Sequence, residues 1–216
     1  GFLLEIPDPK RVQIATAENL DEKGETTSSI AKRNGAVAAI NAGGFYDANG
    51  TGTGRSPYGF IIHDGKFILG QNVADGEVNE FVGLTDDGNL IAGNYSKGEL
   101  ISMDVKEGIS FGPALIVNGE RMITSGDGGW GVGPRTAIGQ KKDGTVLFLV
   151  IDGRQPSYSI GATLRDVQNI LYEEGAYIAA NLDGGSSSTL YMNGNVVNKP
   201  ADLLGERMIP TAFIVK

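Results

Sequence analysis

The sequence predicts a single α+β domain, residues 1–216, with a mixed, largely antiparallel sheet and a few flanking helices. Thirty-three glycines are spread along the chain, which indicates many tight turns and no single long linker. Short apolar runs alternate with Asp-Gly and Asn-Gly pairs, the strongest local signal for β-hairpins. Only two segments have the apolar spacing of a helix. A chain of 216 residues is long enough to bury the core of one full domain.

Turn signals at 63–66, 86–89, 118–119 and 142–144 separate strand-like runs, so the middle of the chain is expected to be antiparallel sheet. His63, the only histidine, lies in the first of these turns. We expect it to be a solvent-exposed turn residue, because no Ser-His-Asp triad can be argued from this chain.

The longer predicted helix begins at Thr163, which has capping-box spacing to Asp166, and ends before Gly175. The shorter helix runs from about residue 27 to residue 34. Each helix leads into a buried strand that ends in an asparagine, Asn41 or Asn181, with a glycine pair close behind. We therefore expect both asparagines to line one cleft.

Charge and composition exclude several classes of function. The net charge is −8 and there is no block rich in Lys and Arg, so nucleic acid is not an expected partner. The absence of cysteine excludes disulfides, zinc–thiolate sites and thiol catalysis. No apolar run approaches the roughly 20 residues of a membrane helix. The chain starts inside a strand-like run without an initiator methionine, from which we expect a signal or anchor upstream of Gly1.

The segment 181–189 is the most informative part of the chain. It follows a buried apolar run and places Asp183 at a strand end, where a carboxylate can act as a base or nucleophile. Gly184 and Gly185 let main-chain N–H groups approach an anion closely, and Ser186 and Ser187 add hydroxyl donors. The structural alternative is an ordinary Gly/Ser-rich turn capped by the aspartate.

Two arginines and a second carboxylate also fall at predicted strand ends. Arg135 follows a glycine-rich loop at 126–133, and Asp152 and Arg154 close the next apolar strand. Arginine suits bidentate recognition of phosphate or carboxylate, so an anionic substrate is expected. A surface salt bridge for Arg135 and an ordinary turn at 152–153 are the alternatives. The residues expected to converge on one concave site are Asn41, Arg135, Asp152, Arg154, Asp183 and Ser186.

Two further segments allow more than one interpretation. Trp130, in the loop 126–133, either stacks on a sugar or is a partly buried aromatic that holds the loop. The segment 47–52 is similar to the start of a calcium loop but lacks the glutamate ligand at its end, so we interpret it as a turn.

Five motifs occur in order: NAGGFY at 41–46, FGPAL at 111–115, PRTAIG at 134–139, DGR at 152–154 and NLDGGSS at 181–187. With GER at 205–207 and PTA at 210–212, they resemble the phosphodiester glycosidase family over nearly the whole chain, as a bacterial member of it. Two positions depart from the commonest family pattern. Gly44 replaces an aromatic residue, and Ser186 replaces a third glycine.

The resemblance implies catalytic roles for Asp183, Asp152, Arg135 and Arg154. The residues that it implies for substrate binding are Asn41, Gly43, Gly44, Phe45, Thr136, Asn181, Gly184, Gly185, Ser186, Ser187 and Arg207. It implies no cofactor and no catalytic metal, and leaves a structural divalent cation such as calcium open.

The implied reaction is hydrolysis of a sugar 1-phosphodiester on its glycosidic side, which releases a sugar such as N-acetylglucosamine and leaves a phosphomonoester. Asp183 would attack the anomeric carbon or activate water, with Asp152 as the second carboxylate and the arginines neutralising the phosphate. The expected substrate is a cell-envelope or exopolysaccharide glycan, and with the start of the chain the resemblance implies an extracytoplasmic domain. Two other classes stay open: a phosphodiesterase that attacks phosphorus, and a non-catalytic module that binds anionic polysaccharide.

Overall fold

The computed structural model describes residues 1–20, 22–47 and 52–216. The strands are β1 (Phe2–Ile6), β2 (Val12–Thr16), β3 (Ala38–Asn41), β4 (Ile61–His63), β5 (Lys66–Leu69), β6 (Val78–Thr85), β7 (Leu90–Ser96), β8 (Val105–Ile109), β9 (Ala114–Val117), β10 (Glu120–Arg121), β11 (Arg135–Lys141), β12 (Val146–Ile151), β13 (Ala176–Asn181), β14 (Leu190–Met192), β15 (Asn195–Val196) and β16 (Thr211–Val215). The α-helices are α1 (Thr27–Arg33), α2 (Lys97–Ser102) and α3 (Leu164–Glu173). Short 3₁₀ turns cover Pro9–Arg11 and Gly185–Ser187.

The strands form three sheets. The first has six strands in the order β1-β12-β11-β13-β9-β10, the second five in the order β15-β14-β3-β16-β2, and the third five in the order β5-β4-β8-β6-β7. Neighbouring strands pair antiparallel throughout the described parts of the chain. The predicted α+β fold with a largely antiparallel sheet is confirmed, and the strands divide among three sheets.

Alternating side chains give the first sheet two buried faces. Ile138 and Phe148 point to a central core that also receives Ile40 from the second sheet and Val82 from the third. Leu147, one residue from Phe148, points the other way into a second core under α3. The three sheets therefore enclose one shared apolar centre.

Each helix covers an outer sheet face. Thr163 is the N-cap of α3 and its hydroxyl accepts from the Asp166 N–H at 3.1 Å, which confirms the predicted capping box. The other predicted helix is α1, whose Ile30 packs on the second sheet. The six-residue helix α2 was not predicted from the sequence, because a single buried residue, Leu100, gives no apolar period.

The hairpin predictions are also confirmed, since the turn signals separate β4 from β5, β6 from β7, β9 from β10, and β11 from β12. His63 differs from the expectation of a simple exposed turn residue. Its Nδ1 lies 3.0 Å from the carboxylate of Glu107, which is 7% exposed.

The strand ends that carry the predicted site residues meet at one edge. Arg135 at the start of β11 is paired with Ile151 at the end of β12, and Ala137 is paired with Asn181 at the end of β13. The chain then crosses from the first sheet to the second, where the Asp183 N–H donates to the Ala42 carbonyl at 2.9 Å. The site therefore lies at the seam between two sheets. Within the described ranges, no helix combines the length and apolarity needed to cross a membrane.

Candidate active site

Asn41 is a fully buried link across this seam. Its Nδ2 donates to the Asp183 carbonyl at 2.5 Å. Its Oδ1 accepts from the Thr136 hydroxyl at 2.8 Å and from the Thr189 N–H at 3.1 Å. One side chain thus fixes both ends of the segment 183–189 against β11.

Asn181, the matching residue at the end of β13, is also fully buried. Its Nδ2 donates to the Gly112 carbonyl at 2.8 Å and its N–H to the Pro113 carbonyl at 3.0 Å. Asn181 therefore attaches the segment after β8 to the edge of the first sheet. Asn41 and Asn181 are both fully buried and contact different groups, so their side chains brace the backbone and do not line a cleft.

Asp183 is a half-buried carboxylate at the centre of the seam. Burial raises its pKa to about 6, against the lowering effects of the Ser187 hydroxyl, the positive charge of Arg207 and the Gly184 main chain. The nearby negative charge of Asp47 raises it further. A carboxylate with a pKa near 6 is ionised at neutral pH and is a stronger base than an exposed aspartate.

The turn after Asp183 requires its glycines. A Cβ at Gly184 would lie 2.9 Å from the Pro134 carbonyl oxygen, and Gly185 has a φ of +62°. The Gly185 N–H donates to the same carbonyl at 2.9 Å. Backbone atoms are therefore packed tightly against the start of β11 at this turn.

Arg154 lies across the outer side of this turn. Its Nη1 is 3.4 Å from the Ser186 hydroxyl, and a Cβ at Gly185 would be 3.2 Å from its Nη2. The residue is exposed and has a φ of +57°, which directs the chain sharply out of β12. The guanidinium is therefore held over the glycine turn and open to solvent.

Arg207 is the second cation at the site. It forms an ion pair with Asp47, and its guanidinium carbon lies 5.3 Å from the centre of the Phe45 ring. Its Nε is buried and has no hydrogen-bond partner among the described residues. Arg207 thus brings positive charge close to Asp183 from the side of the second sheet.

Arg135 has a different environment from the one expected. It is 5% exposed, and its Nε donates to the Ala162 carbonyl at 2.9 Å. Its Nη2 donates to the carbonyls of Trp130 at 3.0 Å and Gly131 at 2.5 Å. Burial and the charge of Arg154 lower its pKa. The guanidinium ties the glycine-rich loop to the sheet edge.

Asp152 is likewise enclosed, at 2% exposure. Its Oδ1 accepts from the Asn198 Nδ2 at 2.9 Å and from the Lys199 N–H at 3.0 Å, and its Oδ2 accepts from the Tyr158 hydroxyl at 3.1 Å. Asn198 also donates to the Ser188 carbonyl at 3.0 Å. Asp152 is therefore connected to the segment 183–189 through Asn198.

The glycine pair after Asn41 lies against neighbouring side chains. The Gly43 N–H donates to the Thr211 hydroxyl at 2.9 Å. A Cβ at Gly44 would lie 2.6 Å from the Phe111 ring and 2.8 Å from the Tyr58 ring. The space beside Gly44 is filled by these rings, so a larger side chain at this position would clash with them.

The structure thus brings a large part of the predicted set to one place: Asn41, Gly43, Gly44, Phe45, Thr136, Arg154, Asn181, Asp183, Gly184, Gly185, Ser186, Ser187 and Arg207. Arg135 and Asp152 lie at the same edge, with their polar atoms engaged by the groups described above.

Three residues of the site were not assigned to it from the sequence: Asp47, Tyr58 and Asn198. Asp47 accepts from the Gly52 N–H at 2.9 Å, as a turn would require, and the rest of that predicted turn, 48–51, lies outside the described residues. Burial, and then the charge of Asp183, raise the pKa of Tyr58. Asn198 is joined to Asp152 across 46 residues of sequence, and no local signal indicates such a contact.

Among the described residues, no group of three or more His, Asp or Glu side chains is arranged to hold a metal ion. The site consists of a half-buried carboxylate, a tight glycine turn and two arginines.

The fold and site define an α+β protein with a carboxylate-and-arginine site at the seam of two antiparallel sheets. Residues 34–216 match the sequence pattern of the phosphodiester glycosidases, and the chain belongs to the phosphodiester glycosidase family.

Two curated relatives illustrate the range of this family. The SPbeta prophage-derived uncharacterized protein YomE of Bacillus subtilis is 32% identical over 197 residues, covering 88% of this chain and 29% of YomE. The Bos taurus N-acetylglucosamine-1-phosphodiester alpha-N-acetylglucosaminidase is 24% identical over 233 residues, covering 96% of this chain and 42% of the bovine protein. The chain therefore spans less than half the length of either relative.

Solved structures share the fold. The zebrafish N-acetylglucosamine-1-phosphodiester alpha-N-acetylglucosaminidase catalytic domain, auto-inhibited by its pro-peptide, matches with a TM-score of 0.79 and 23% identity, over 99% of this chain and 81% of that one. A putative exported protein from Burkholderia pseudomallei matches with a TM-score of 0.72 and 18% identity, over 99% of this chain and 73% of that one.

Proposed function

We propose that this chain is the catalytic domain of a hydrolase that cleaves a sugar 1-phosphodiester on its glycosidic side, releasing the sugar and leaving a phosphomonoester. The observation that supports this most strongly is Asp183, a carboxylate with a pKa of about 6 set beside Arg207 and a tight glycine turn. The family relationship and the name of the bovine relative support the same chemistry.

Asp183 attacks the anomeric carbon or takes the proton of the water that does. Its raised pKa makes it a better base, and it is still ionised at neutral pH. As the bond between the anomeric carbon and oxygen breaks, the bonding electrons stay on the phosphate oxygen. A phosphomonoester is a good leaving group, so this step needs charge neutralisation more than a strong general acid.

Arg154 and Arg207 supply that neutralisation in our proposal. Arg154 is exposed over the turn that follows Asp183, and Arg207 brings a second positive charge close to Asp183. Both can donate to phosphate oxygens with the planar geometry that suits them.

Asp152 and Arg135 position the site in our proposal and do not touch the reacting atoms. The Asp152 carboxylate receives three hydrogen bonds, and Arg135 donates to three main-chain carbonyls. Their removal would displace the segment 183–189 and the loop 126–133, respectively.

The substrate is in our proposal a cell-envelope or exopolysaccharide glycan, and the domain acts outside the cytoplasm. The exported description of the Burkholderia neighbour supports this location. Fractionation of the native host tests it, because recovery of the full-length protein in the cytoplasm alone would contradict it.

The reaction is tested with purified protein and an N-acetylglucosamine 1-phosphodiester in ¹⁸O-labelled water. We expect released reducing sugar that carries the label at its anomeric hydroxyl, with no label in the phosphomonoester. Label in the phosphate would show attack at phosphorus instead. Saturable binding of anionic polysaccharide without turnover of any sugar 1-phosphodiester would favour a binding module.

The matched pair of variants is Asp183→Asn and Asp87→Asn. Asp183→Asn keeps the size of the side chain but removes the base, so kcat should fall at least ~10²-fold. Asp87 is exposed at the β6–β7 turn, and its variant should keep parental turnover. Full turnover by Asp183→Asn would rule out the mechanism.

A further inference from the structure

We propose a second sugar subsite beside Asp183, a cleft that binds a neutral pyranose ring of the glycan next to the sugar that is cleaved. This subsite deepens the proposed function and rests on it for its place in the reaction. The cleft has a volume of about 360 Å³ and is bounded by Tyr58, Asn79, Glu80, Phe111, Gly112 and Trp130. Asp183, Arg154 and Arg207 do not line it, so a ring bound in the cleft is not the ring attacked by Asp183.

The walls of the cleft are exposed aromatic rings. Trp130 is 52% exposed and Tyr58 is 50% exposed, although large aromatic side chains are usually buried. Phe111 and Trp130 meet edge to face, with ring centres 6.2 Å apart. Flat apolar surfaces with a few polar groups between them are typical of small-ligand sites, and the C–H faces of a pyranose suit such surfaces.

Glu80 and Tyr58 supply accessible polar groups to the cleft. Glu80 is exposed, and its carboxylate lies 2.8 Å from the position of a Cβ at Gly112. A carboxylate accepts hydrogen bonds from sugar hydroxyls, and the Tyr58 hydroxyl can donate or accept.

The charge of the cleft selects against anionic sugars. Glu80 is the ionisable acid of the lining, and no lysine or arginine is among the lining residues that the structure describes. A uronic acid would place its carboxylate near Glu80 without a compensating cation. Hydroxyl groups, in contrast, can donate to the Glu80 carboxylate.

The cleft is physically joined to the catalytic seam on both sides. Gly44, which contacts both Tyr58 and Phe111, lies two residues after Ala42, whose carbonyl accepts from the Asp183 N–H. On the other side, the Arg135 guanidinium donates to the main-chain carbonyl of Trp130. The main-chain connections explain how a ring in the cleft would be aligned with the linkage at Asp183.

The first experiment uses intrinsic fluorescence, because Trp130 is the only tryptophan of the chain. The intact protein is titrated with phosphate-free neutral oligosaccharides, including oligomers of N-acetylglucosamine, and with oligogalacturonates of equal length. We expect a saturable change in emission with at least one neutral series and at least ~10-fold weaker binding of the uronates. This readout needs no turnover, so its failure is distinct from failure of the proposed reaction. No saturable response to the neutral series, or equal binding of uronates, would overturn the subsite.

The second experiment compares a minimal sugar 1-phosphodiester with an extended glycan that carries the same linkage. Trp130→Ala should lower kcat/KM at least ~10-fold more for the extended substrate, which corresponds to about 1.4 kcal/mol of selective binding. Trp130→Phe should recover part of this loss because it keeps an aromatic face. Tyr172→Ala, which removes an exposed aromatic ring on α3, is the control and should change neither value. Equal losses of kcat/KM on the two substrates would show that the cleft is not a second subsite.

Discussion

At the scale of single residues, opposing effects of the surroundings set the pKa of Asp183. Burial at the seam disfavours its charge, whereas Ser187, Arg207 and the Gly184 main chain favour it, and the result is a pKa of about 6. An exposed aspartate has a pKa near 3.9, so this carboxyl keeps its proton about two pH units higher. The balance makes its protonation state sensitive to mildly acidic conditions.

We therefore expect the activity to depend on the ionised form of Asp183. Below pH ~6 the carboxylate is protonated and cannot act as a base, so kcat/KM should fall about tenfold per pH unit, and it should level off above pH ~7. A pH profile of kcat/KM on a sugar 1-phosphodiester measures this. An acid limb centred near pH 4 would contradict the assignment.

Arg154 gives a second prediction at this scale. If its exposed guanidinium meets the phosphate, inorganic phosphate should inhibit the parent protein, and Arg154→Ala should raise the inhibition constant at least ~10-fold. Arg154→Lys should restore only part of the affinity, because an ammonium lacks the planar pair of donors. Arg121→Ala, at an exposed cation that stacks on Tyr172, is the control and should leave phosphate inhibition unchanged. An unchanged inhibition constant in Arg154→Ala would remove Arg154 from the phosphate site.

At the scale of elements, the buried side chain of Arg135 attaches the loop 126–133 to the sheet. Arg135 joins this loop to the start of β11 through the carbonyls of Trp130 and Gly131, and to the start of α3 through Ala162. The Gly133 N–H donates to the Ala162 carbonyl at 3.2 Å and the Arg165 N–H to the Asp127 carbonyl at 3.2 Å, so main-chain hydrogen bonds also hold both ends of the loop.

We expect Arg135→Ala to loosen this loop more than it destabilises the domain. The carbonyls lose their donor and become accessible to water, so amide hydrogen exchange at 126–132 should accelerate at least ~10-fold while the core strands keep their protection. Native-state exchange measured by mass spectrometry tests this. Arg33→Ala, at an exposed arginine of α1 that bonds Glu25 and Thr16 and not this loop, is the comparison. Uniform acceleration across the core strands would instead indicate global destabilisation.

At the scale of the whole molecule, Glu107 connects the second and third sheets. This carboxylate on β8 is 7% exposed and accepts from the Ile14 N–H of β2 at 2.7 Å. It also accepts from the Asp64 N–H at 3.1 Å and lies 3.0 Å from the His63 ring nitrogen. Without Glu107, the N–H groups of Ile14 and Asp64 would both lose their acceptor.

Glu107→Ala should lower the free energy of unfolding by about 2–4 kcal/mol, because it leaves the buried Ile14 N–H unpaired. Glu107→Gln keeps one acceptor and should lose less. Urea denaturation measures both, with Glu120→Ala on the exposed strand β10 as the control. A loss for Glu107→Ala no larger than for Glu120→Ala would show that the sheets are held together without this contact.

Much of the fold could be predicted because its signals are local. The turn at 86–89, the capping box of Thr163 and Asp166, and the asparagine-ended strands depend on residues a few positions apart, and all of them were confirmed. Helix α2 was missed because one buried leucine in six residues carries no periodic signal. The division of the strands into three sheets depends on long-range pairing and left no pattern in the sequence.

The sequence by itself determined that Asp183 lies in a glycine turn at a strand end, because this follows from adjacent residues. Only the tertiary structure decided which groups surround it. The pairing of Asp47 with Arg207 spans 160 residues and the link from Asp152 to Asn198 spans 46, distances at which sequence spacing carries no geometric information. Arg135 and Asp152 are indistinguishable from substrate-binding residues in the sequence, since charge and position are all that it shows. Burial and hydrogen-bond partners separate them from Arg154 and Arg207, and these are properties of the packed sheets.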